Sequence, residues 1–468
     1  MECDVAVLGG GPGGYTAAIR AAQLGAKVAC IESESALGGV CLRVGCIPTK
    51  TWVQTARAIR EIEESFENLG ILIGKTGLDF ERANAWKAAT VERLTGGVAT
   101  LFKANGVEWV KGFGRFGGPY TIAVEGGERI SFKSAIVATG SHPIVPLIAG
   151  IDSKGVVDST GLLAQTEIPR RLVVLGGGVV GCEFASIFSR FGSQVTIVEL
   201  LERLLPMEDE DVSSELERSF RRRGIEQRLG TACTKVEETE GALRVSFGEG
   251  EAIEADLMLI SVGRAPNVSG IGLEAAGVAF DEKRGIQTDE HRRTSVAHIY
   301  AAGDVAGHWQ LAHTAFYEGE IAAENAAGPA GREAVIERRA VPRPIYSEPE
   351  IAAVGLTEAE ARERHGDAVV IGRFPWAANS RAVMQSETTG WVKTIHESRD
   401  GELLGLVVVG PHATELIEIG RVAIDAGSTI ETLSLGITAH PTLSEAIKEA
   451  GLVALERPVH VAPKRRTR

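Results

Sequence analysis

Two cysteines, Cys41 and Cys46, stand close together in the segment GGVCLRVGCIPTK (38–50). Their CxxxxC spacing is a poor match to tetrahedral zinc, which favours CxxC with a second ligand pair, and the chain has no such second pair, so no metal site is expected. A redox disulfide closing a short loop fits the spacing better. The plainer alternative is two unrelated buried thiols. Far along the chain, His440 and Glu445 have the makings of a base and its orienting carboxylate. An imidazole titrates near neutrality, so it can take a thiol proton and, once charged, stabilise a neighbouring thiolate. The plainer alternative here is a capping or surface histidine, because PTLSEAIKEAGLVALE reads as a helix with Pro441 at its start.

Chemistry of this kind needs elements that hold it, and the chain repeats one such element. VAVLGGGPGGYTAAIRAAQLGAKVACIE (5–32) and LVVLGGGVVGCEFASIFSRFGSQVTIVE (172–199), laid 167 residues apart without a gap, agree at 10 of 28 positions. Each reads as strand, glycine turn, helix, strand and a terminal acid, which is one βαβ unit made twice. In such a unit the first glycine permits the tight turn, the second lets backbone approach a pyrophosphate, and the third lets helix and strand pack closely. Those are Gly9, Gly11 and Gly14, then Gly176, Gly178 and Gly181. The pyrophosphate would meet free N–H groups at the positive end of a helix. Glu32 and Glu199 end the second strands, where a carboxylate can accept from ribose hydroxyls and would repel a 2′-phosphate, so Glu199 favours NAD over NADP. Two sites suggest two dinucleotides, a flavin and a nicotinamide.

The remaining segments suggest insertion of the second unit into the first. AIVATGS (135–141) and LMLISVG (257–263) read as buried strands ending in turns, and Pro146 to Ile151 as a crossover between units. HIYAAGDV (298–305) is another buried strand, followed by helical periodicity from His313 to Ala327. The Pro-rich VPRPIYSEP (341–349) looks like a linker into a last unit that alternates strands and helices. The expected class is α/β, with two Rossmann-like domains and a C-terminal α+β domain. The expected divisions are 1–147, 148–270, 271–338 and 339–468.

Composition excludes several function classes. At 468 residues, 44% hydrophobic and 24% charged, the chain is a multidomain globular protein with large cores. Its 62 acidic against 49 basic residues leave a net charge of −13, which argues against a nucleic-acid partner, and the one basic cluster, KRRT (464–467), reads as a solvated tail. The strongest apolar run, Leu403 to Val409, is far short of a membrane span. With no signal or transit pattern ahead of Val5, a cytoplasmic protein is expected. Cys3, Cys30, Cys182 and Cys233 are isolated and read as buried small hydrophobes.

The ordered set GGGPGG, CLRVGCIPTK, ATGS, GGGVVG, VGRAPN, AAGD, LAH, GPHATELI and AHPTLSE resembles the pyridine nucleotide-disulfide oxidoreductases over nearly the whole chain, and most of all the branch that oxidises dihydrolipoyl groups. The resemblance implies FAD on Gly9, Gly11, Gly14 and Glu32, with Thr139 and Gly140 nearby and Asp304 holding the ribityl chain. It implies NAD on Gly176, Gly178, Gly181 and Glu199, with Gly263 nearby. Cys46 would be the flavin-side sulfur that forms a charge-transfer pair, and Cys41 the outer sulfur that exchanges with substrate. Lys50 would lie near the flavin and pair with Glu183 at the nicotinamide face; the plainer alternative for Glu183, read from the residues alone, is an acid favouring a helix's first turn. His440 and Glu445 would serve the other subunit of a homodimer. The substrate would ride on the lipoylated carrier domain of a 2-oxo acid dehydrogenase or glycine cleavage complex. Arg43 and Thr438 depart from the family's usual Asn and His. Sister reductases for glutathione disulfide place arginines after the second unit, where Glu199-Leu-Leu-Glu202 precedes Arg203, and mercuric enzymes need a vicinal C-terminal cysteine pair that this chain lacks. A non-catalytic flavoprotein scaffold is the rival from another class, disfavoured by the presence together of Cys41, Cys46, His440 and Glu445.

Overall fold

A computed structural model describes residues 1–74, 76–248, 250–329, 333–336 and 340–462. The expected boundary at 338/339 and the KRRT run lie outside those residues. The first glycine unit builds a five-stranded parallel sheet in the order Ile299–Ala301, Ser134–Val137, Val5–Leu8, Val28–Glu32 and Glu108–Lys111. Val5–Leu8 and Val28–Glu32 are buried at every position, as strands covered on both faces must be. The strand Ile299–Ala301 joins this sheet only after the second sheet has been completed, which is the insertion the segment order suggested.

The second sheet repeats the plan, with Glu226–Arg228, Gln194–Val198, Arg171–Leu175, Leu257–Ile260 and Val156–Val157 in parallel. A third, antiparallel sheet runs Arg343–Ile345, Ile351–Gly355, Leu403–Val409, Trp391–Glu397 and Val369–Pro375. Helices Ala413–Asp425 and Glu445–Ala454 supply apolar side chains to its core.

Three sequence expectations are corrected. The segment 341–349 is no simple linker, because Arg343–Ile345 pairs antiparallel with Ile351–Ala353 as the outermost strand, where Pro344 needs no ladder partner for its absent N–H. Pro441 does not start the last helix, which begins at Glu445. A turn intervenes, closed by the Thr442 hydroxyl donating to Ala439 O at 2.8 Å and the Thr442 N–H donating to Glu445 Oε2 at 2.8 Å. Cys3, Cys30 and Cys182 are buried, but Cys233 is only half-buried, since it opens a strand of the three-stranded antiparallel sheet that flanks the second unit.

The cysteine segment forms two helices, Gly39–Val44 and Cys46–Arg60, divided at Gly45. Trp52 anchors the longer one. Its fully buried ring meets Phe80, Phe188 and Phe191 at centroid distances of 5.5, 5.7 and 6.0 Å, and Phe188 belongs to the second glycine helix, Val179–Arg190. The helix that carries Cys46 is thereby packed on the helix that opens the second dinucleotide site. Trp52→Ala should cost about 3–5 kcal/mol through lost burial and the cavity left behind. Chemical unfolding with fluorescence detection would read this as a lowered midpoint, and an unchanged midpoint would show that the ring anchors nothing.

Candidate active site

Cys41 lies in the short helix and Cys46 is the first residue of the longer one, so the turn at Gly45 brings the two sulfurs together. Both are free thiols, half-buried, and the Cys41 S–H donates to the Cys46 sulfur. That hydrogen bond, with the Lys50 ammonium, outweighs burial and the Glu183 charge and brings the Cys46 thiol down to about 7. The same bond, together with burial, drives the Cys41 thiol strongly up. The arrangement therefore favours the negative charge on Cys46 and the proton on Cys41. A thiolate is the reactive form in disulfide exchange, so the pair is chemically polarised.

Lys50 lies one helical turn beyond Cys46 and reaches Glu183, Nζ to Oε2, at 2.6 Å. Burial alone would lower the Lys50 pKa, but Glu183, by charge and hydrogen bond, and then Cys46 raise it above the ordinary value. Glu183 is the fifth residue of Val179–Arg190, beyond the first turn, and is buried; its partner is the lysine and not the helix N-terminus. Four of the expected residues, Cys41, Cys46, Lys50 and Glu183, thus form one cluster.

His440 and Glu445 form another. His440 Nδ1 lies 2.9 Å from Glu445 Oε1, and the imidazole is largely exposed. Against slight burial, the Thr442 N–H and His440 hold the Glu445 carboxyl below its usual range. Among the described residues, no hydrogen bond or ion pair joins this pair to the cysteines of the same chain. Of the two departures, Arg43 turns to Glu34, Nη2 to Oε2 at 2.7 Å, and Thr438 is half-buried two residues before His440.

The two glycine turns have matching geometry. A Cβ on Gly9 would lie 2.3 Å from Ala138 O, and one on Gly14 1.8 Å from Gly9 O, so neither position admits a side chain. The Gly10 N–H donates to Glu32 Oε2 at 2.8 Å, and the Gly177 N–H donates to Glu199 Oε2. Each acid also accepts a second backbone N–H two residues on, from Glu34 at 2.9 Å and Leu201 at 2.8 Å. A carboxylate has about four acceptor positions, so capacity remains for ribose hydroxyls. At the sheet's other crossover, the Gly140 carbonyl accepts from Asn267 N–H at 2.9 Å and the Thr139 hydroxyl donates to Asn267 O at 2.8 Å. The Gly263 carbonyl accepts from Ile144 N–H at 3.0 Å. Asp304 accepts from the Ser141 hydroxyl at 2.5 Å, and the Arg264 guanidinium donates to that hydroxyl at 2.7 Å; burial raises the Asp304 pKa.

Sequence reasoning missed Ser141, Arg264 and Tyr346, which touch these groups. Arg264 stands inside VGRAPN, so its motif was visible although its partner was not. Glu318 was also missed: it is buried, accepts from the Gly303 N–H at 2.8 Å and pairs with the fully buried Arg292 at 3.3 Å, steadying the turn before Asp304. An acid within the helix Ala312–Ala327 carries no signal that it faces inward.

The profile of the pyridine nucleotide-disulphide oxidoreductase family matches residues 3–319, and that of its dimerisation domain matches residues 341–451. The chain belongs to this family. It is an oxidoreductase with FAD and NAD as cofactors, and its third sheet belongs to the family's dimerisation domain. The dihydrolipoyl dehydrogenase of Bacillus subtilis is 41% identical, with 98% of both chains covered. That of Thermus scotoductus is 43% identical, again with 98% of both covered. Among solved structures, the HOCl-induced flavoprotein disulfide reductase RclA from Escherichia coli superposes with a TM-score of 0.88 at 31% identity, covering 97% of this chain and 99% of that one. LpdA from Mycobacterium tuberculosis gives 0.88 at 29%, covering 96% and 98%.

The residues present fit two dinucleotides. Helices Pro12–Gln23 and Val179–Arg190 both begin at a glycine, Gly11 and Gly178, with no side-chain cap on the first-turn N–H groups. A Cβ on Gly178 would meet nothing within 4 Å and one on Gly11 only Gly39 Cα at 3.6 Å, so a phosphate can approach either helix end. No helix among the described residues is long and apolar enough to cross a membrane.

Proposed function

We propose that this enzyme oxidises dihydrolipoyl groups carried on a lipoylated domain, of a 2-oxo acid dehydrogenase or glycine cleavage complex, and reduces NAD to NADH. The observation that carries the reading is the polarised Cys41–Cys46 pair set one turn from the Lys50–Glu183 pair. In the oxidised enzyme these sulfurs would form a disulfide. His440 of the partner subunit takes a proton from one substrate thiol, and the thiolate attacks Cys41, releasing Cys46 as thiolate. The second substrate thiol then closes the lipoyl disulfide and returns Cys41 as a thiol. Lys50 stabilises the Cys46 thiolate electrostatically. Glu32, Thr139, Gly140 and Asp304 with the first glycine turn hold FAD, which when bound carries the electron pair from sulfur to nicotinamide. Glu199 and Gly263 with the second turn hold NAD.

A homodimer is required by this reading, because among the described residues no hydrogen bond or ion pair joins His440 or Glu445 to the cysteines of their own chain. The division into 1–147, 148–270, 271–338 and 339–468 draws support from the return of Ile299–Ala301 to the first sheet and from the separate third sheet, although Arg264–Pro266 pairs back onto Ser141–Pro143 of the first segment; a cytoplasmic site of action accords with the proposed carrier complexes.

The test is anaerobic turnover of dihydrolipoamide with NAD and, separately, NADP. Fast NADH formation with little NADPH supports the reading. A flavin that NADH bleaches but dihydrolipoamide does not would move the substrate to another disulfide. In the same assay Glu199→Ala should lower the NAD to NADP ratio of kcat/KM by about tenfold, the order expected for one charge-assisted hydrogen bond. An unchanged ratio would remove Glu199 from the ribose site.

A further inference from the structure

Lys50 and Glu183 come from different helices and different units, so their alignment depends on what surrounds both. Glu183 spends one oxygen on the lysine. The other, Oε1, accepts the backbone N–H of Tyr346 at 2.9 Å. The ring of the same tyrosine lies beneath the Lys50 ammonium, 4.7 Å from Nζ to centroid. Tyr346 directly follows the outer strand Arg343–Ile345 of the third sheet, so all three units meet at this ion pair.

Tyr346 also forms part of the wall of a cavity of about 120 Å³, whose carboxylates Glu64, Glu348, Glu350 and Glu387 are each paired with an arginine. The ring's face is therefore a partner for the Lys50 ammonium that supplements Glu183 without competing for it.

We propose that Tyr346 is a positioning residue for hydride exchange: its N–H orients Glu183, and its ring, under the ammonium, keeps Lys50 on Glu183. This rests on the reading that hydride passes beside the Lys50–Glu183 pair. The third unit thereby acts on the redox centre of its own chain, apart from any residue it supplies across the dimer.

The test compares Tyr346→Phe with Tyr346→Leu in the FAD-loaded dimer, because both keep the backbone N–H and only the first keeps the ring. Stopped-flow bleaching of the flavin by saturating NADH should fall about tenfold in Tyr346→Leu, as loss of alignment predicts, and stay within twofold in Tyr346→Phe. Bleaching by dihydrolipoamide should change less than threefold in either. A second readout needs no turnover. The charged and titratable groups acting on Cys46 include Cys41, Lys50, Glu183 and Arg264, so if Lys50 leaves, the pH midpoint for alkylation of the reduced Cys46 should rise in Tyr346→Leu and not in Tyr346→Phe. NADH bleaching within twofold of the parent in Tyr346→Leu overturns the proposal, as do equal losses in both half-reactions or in both variants. Failure of NADH to bleach the parent protein would instead overturn the underlying functional reading.

Discussion

Cys41→Ser should bind FAD and be bleached by NADH, yet lose dihydrolipoamide turnover by roughly three orders of magnitude or more, as expected when a covalent participant is removed. In the proposed exchange Cys41 accepts a substrate sulfur and later leaves as a sulfur anion, and serine can do neither. The serine hydroxyl keeps the size of the side chain and can donate to Cys46 as the Cys41 thiol does, so the thiolate partner is disturbed little. The variant therefore separates thiol exchange from flavin chemistry. Absorbance titration with NADH and anaerobic dihydrolipoamide assays would be run on one preparation. Loss of the yellow colour would mean that Cys41 is structural, and surviving turnover would mean that exchange does not pass through it.

His440→Gln should lower dihydrolipoamide oxidation by about 10²–10⁴, the usual contribution of a positioned acid or base, while leaving flavin reduction by NADH intact. In the proposed reaction the imidazole takes a proton and Glu445 stabilises the resulting positive charge, and glutamine can carry neither the proton nor the charge. The dimer arrangement yields a sharper result. In a mixed dimer of Cys41→Ser and His440→Gln chains, a site built from both subunits is doubly defective once and fully intact once. Coexpression with two affinity tags should thus restore up to half the parental activity to the doubly tagged fraction. If the base acted on its own chain's cysteines, each site would carry one defect and no activity would return.

How much of this was legible in the residues differed from place to place. Gly9, Gly14 and Glu32 could be read directly, because a tight turn and close helix packing leave no room for side chains and a strand-end acid follows at a set distance. Burial of the strands Val5–Leu8 and Leu172–Leu175 followed equally from their unbroken apolar runs. The last helix was read too early, since a proline is compatible both with a helix start and with the turn that the Thr442 and Glu445 hydrogen bonds close. The segment around Tyr346 was read as a linker, because proline at a sheet edge looks the same in one dimension as proline in a loop.

Local chemistry was therefore written in the chain: the thiol pair, the two phosphate-ready turns, the acids beyond them and the imidazole with its carboxylate all lie within short stretches whose backbone geometry admits few residue types. Only the folded chain decided which of these meet. The Lys50–Glu183 pair spans 133 positions and the Tyr346 N–H reaches Glu183 across 163, distances over which no residue pattern reports proximity. Such pairs arise because packing of the aromatic cluster around Trp52 and insertion of one βαβ unit into another bring separate helices together, and the free energy for that comes from burial shared by the whole core rather than from the polar groups it aligns.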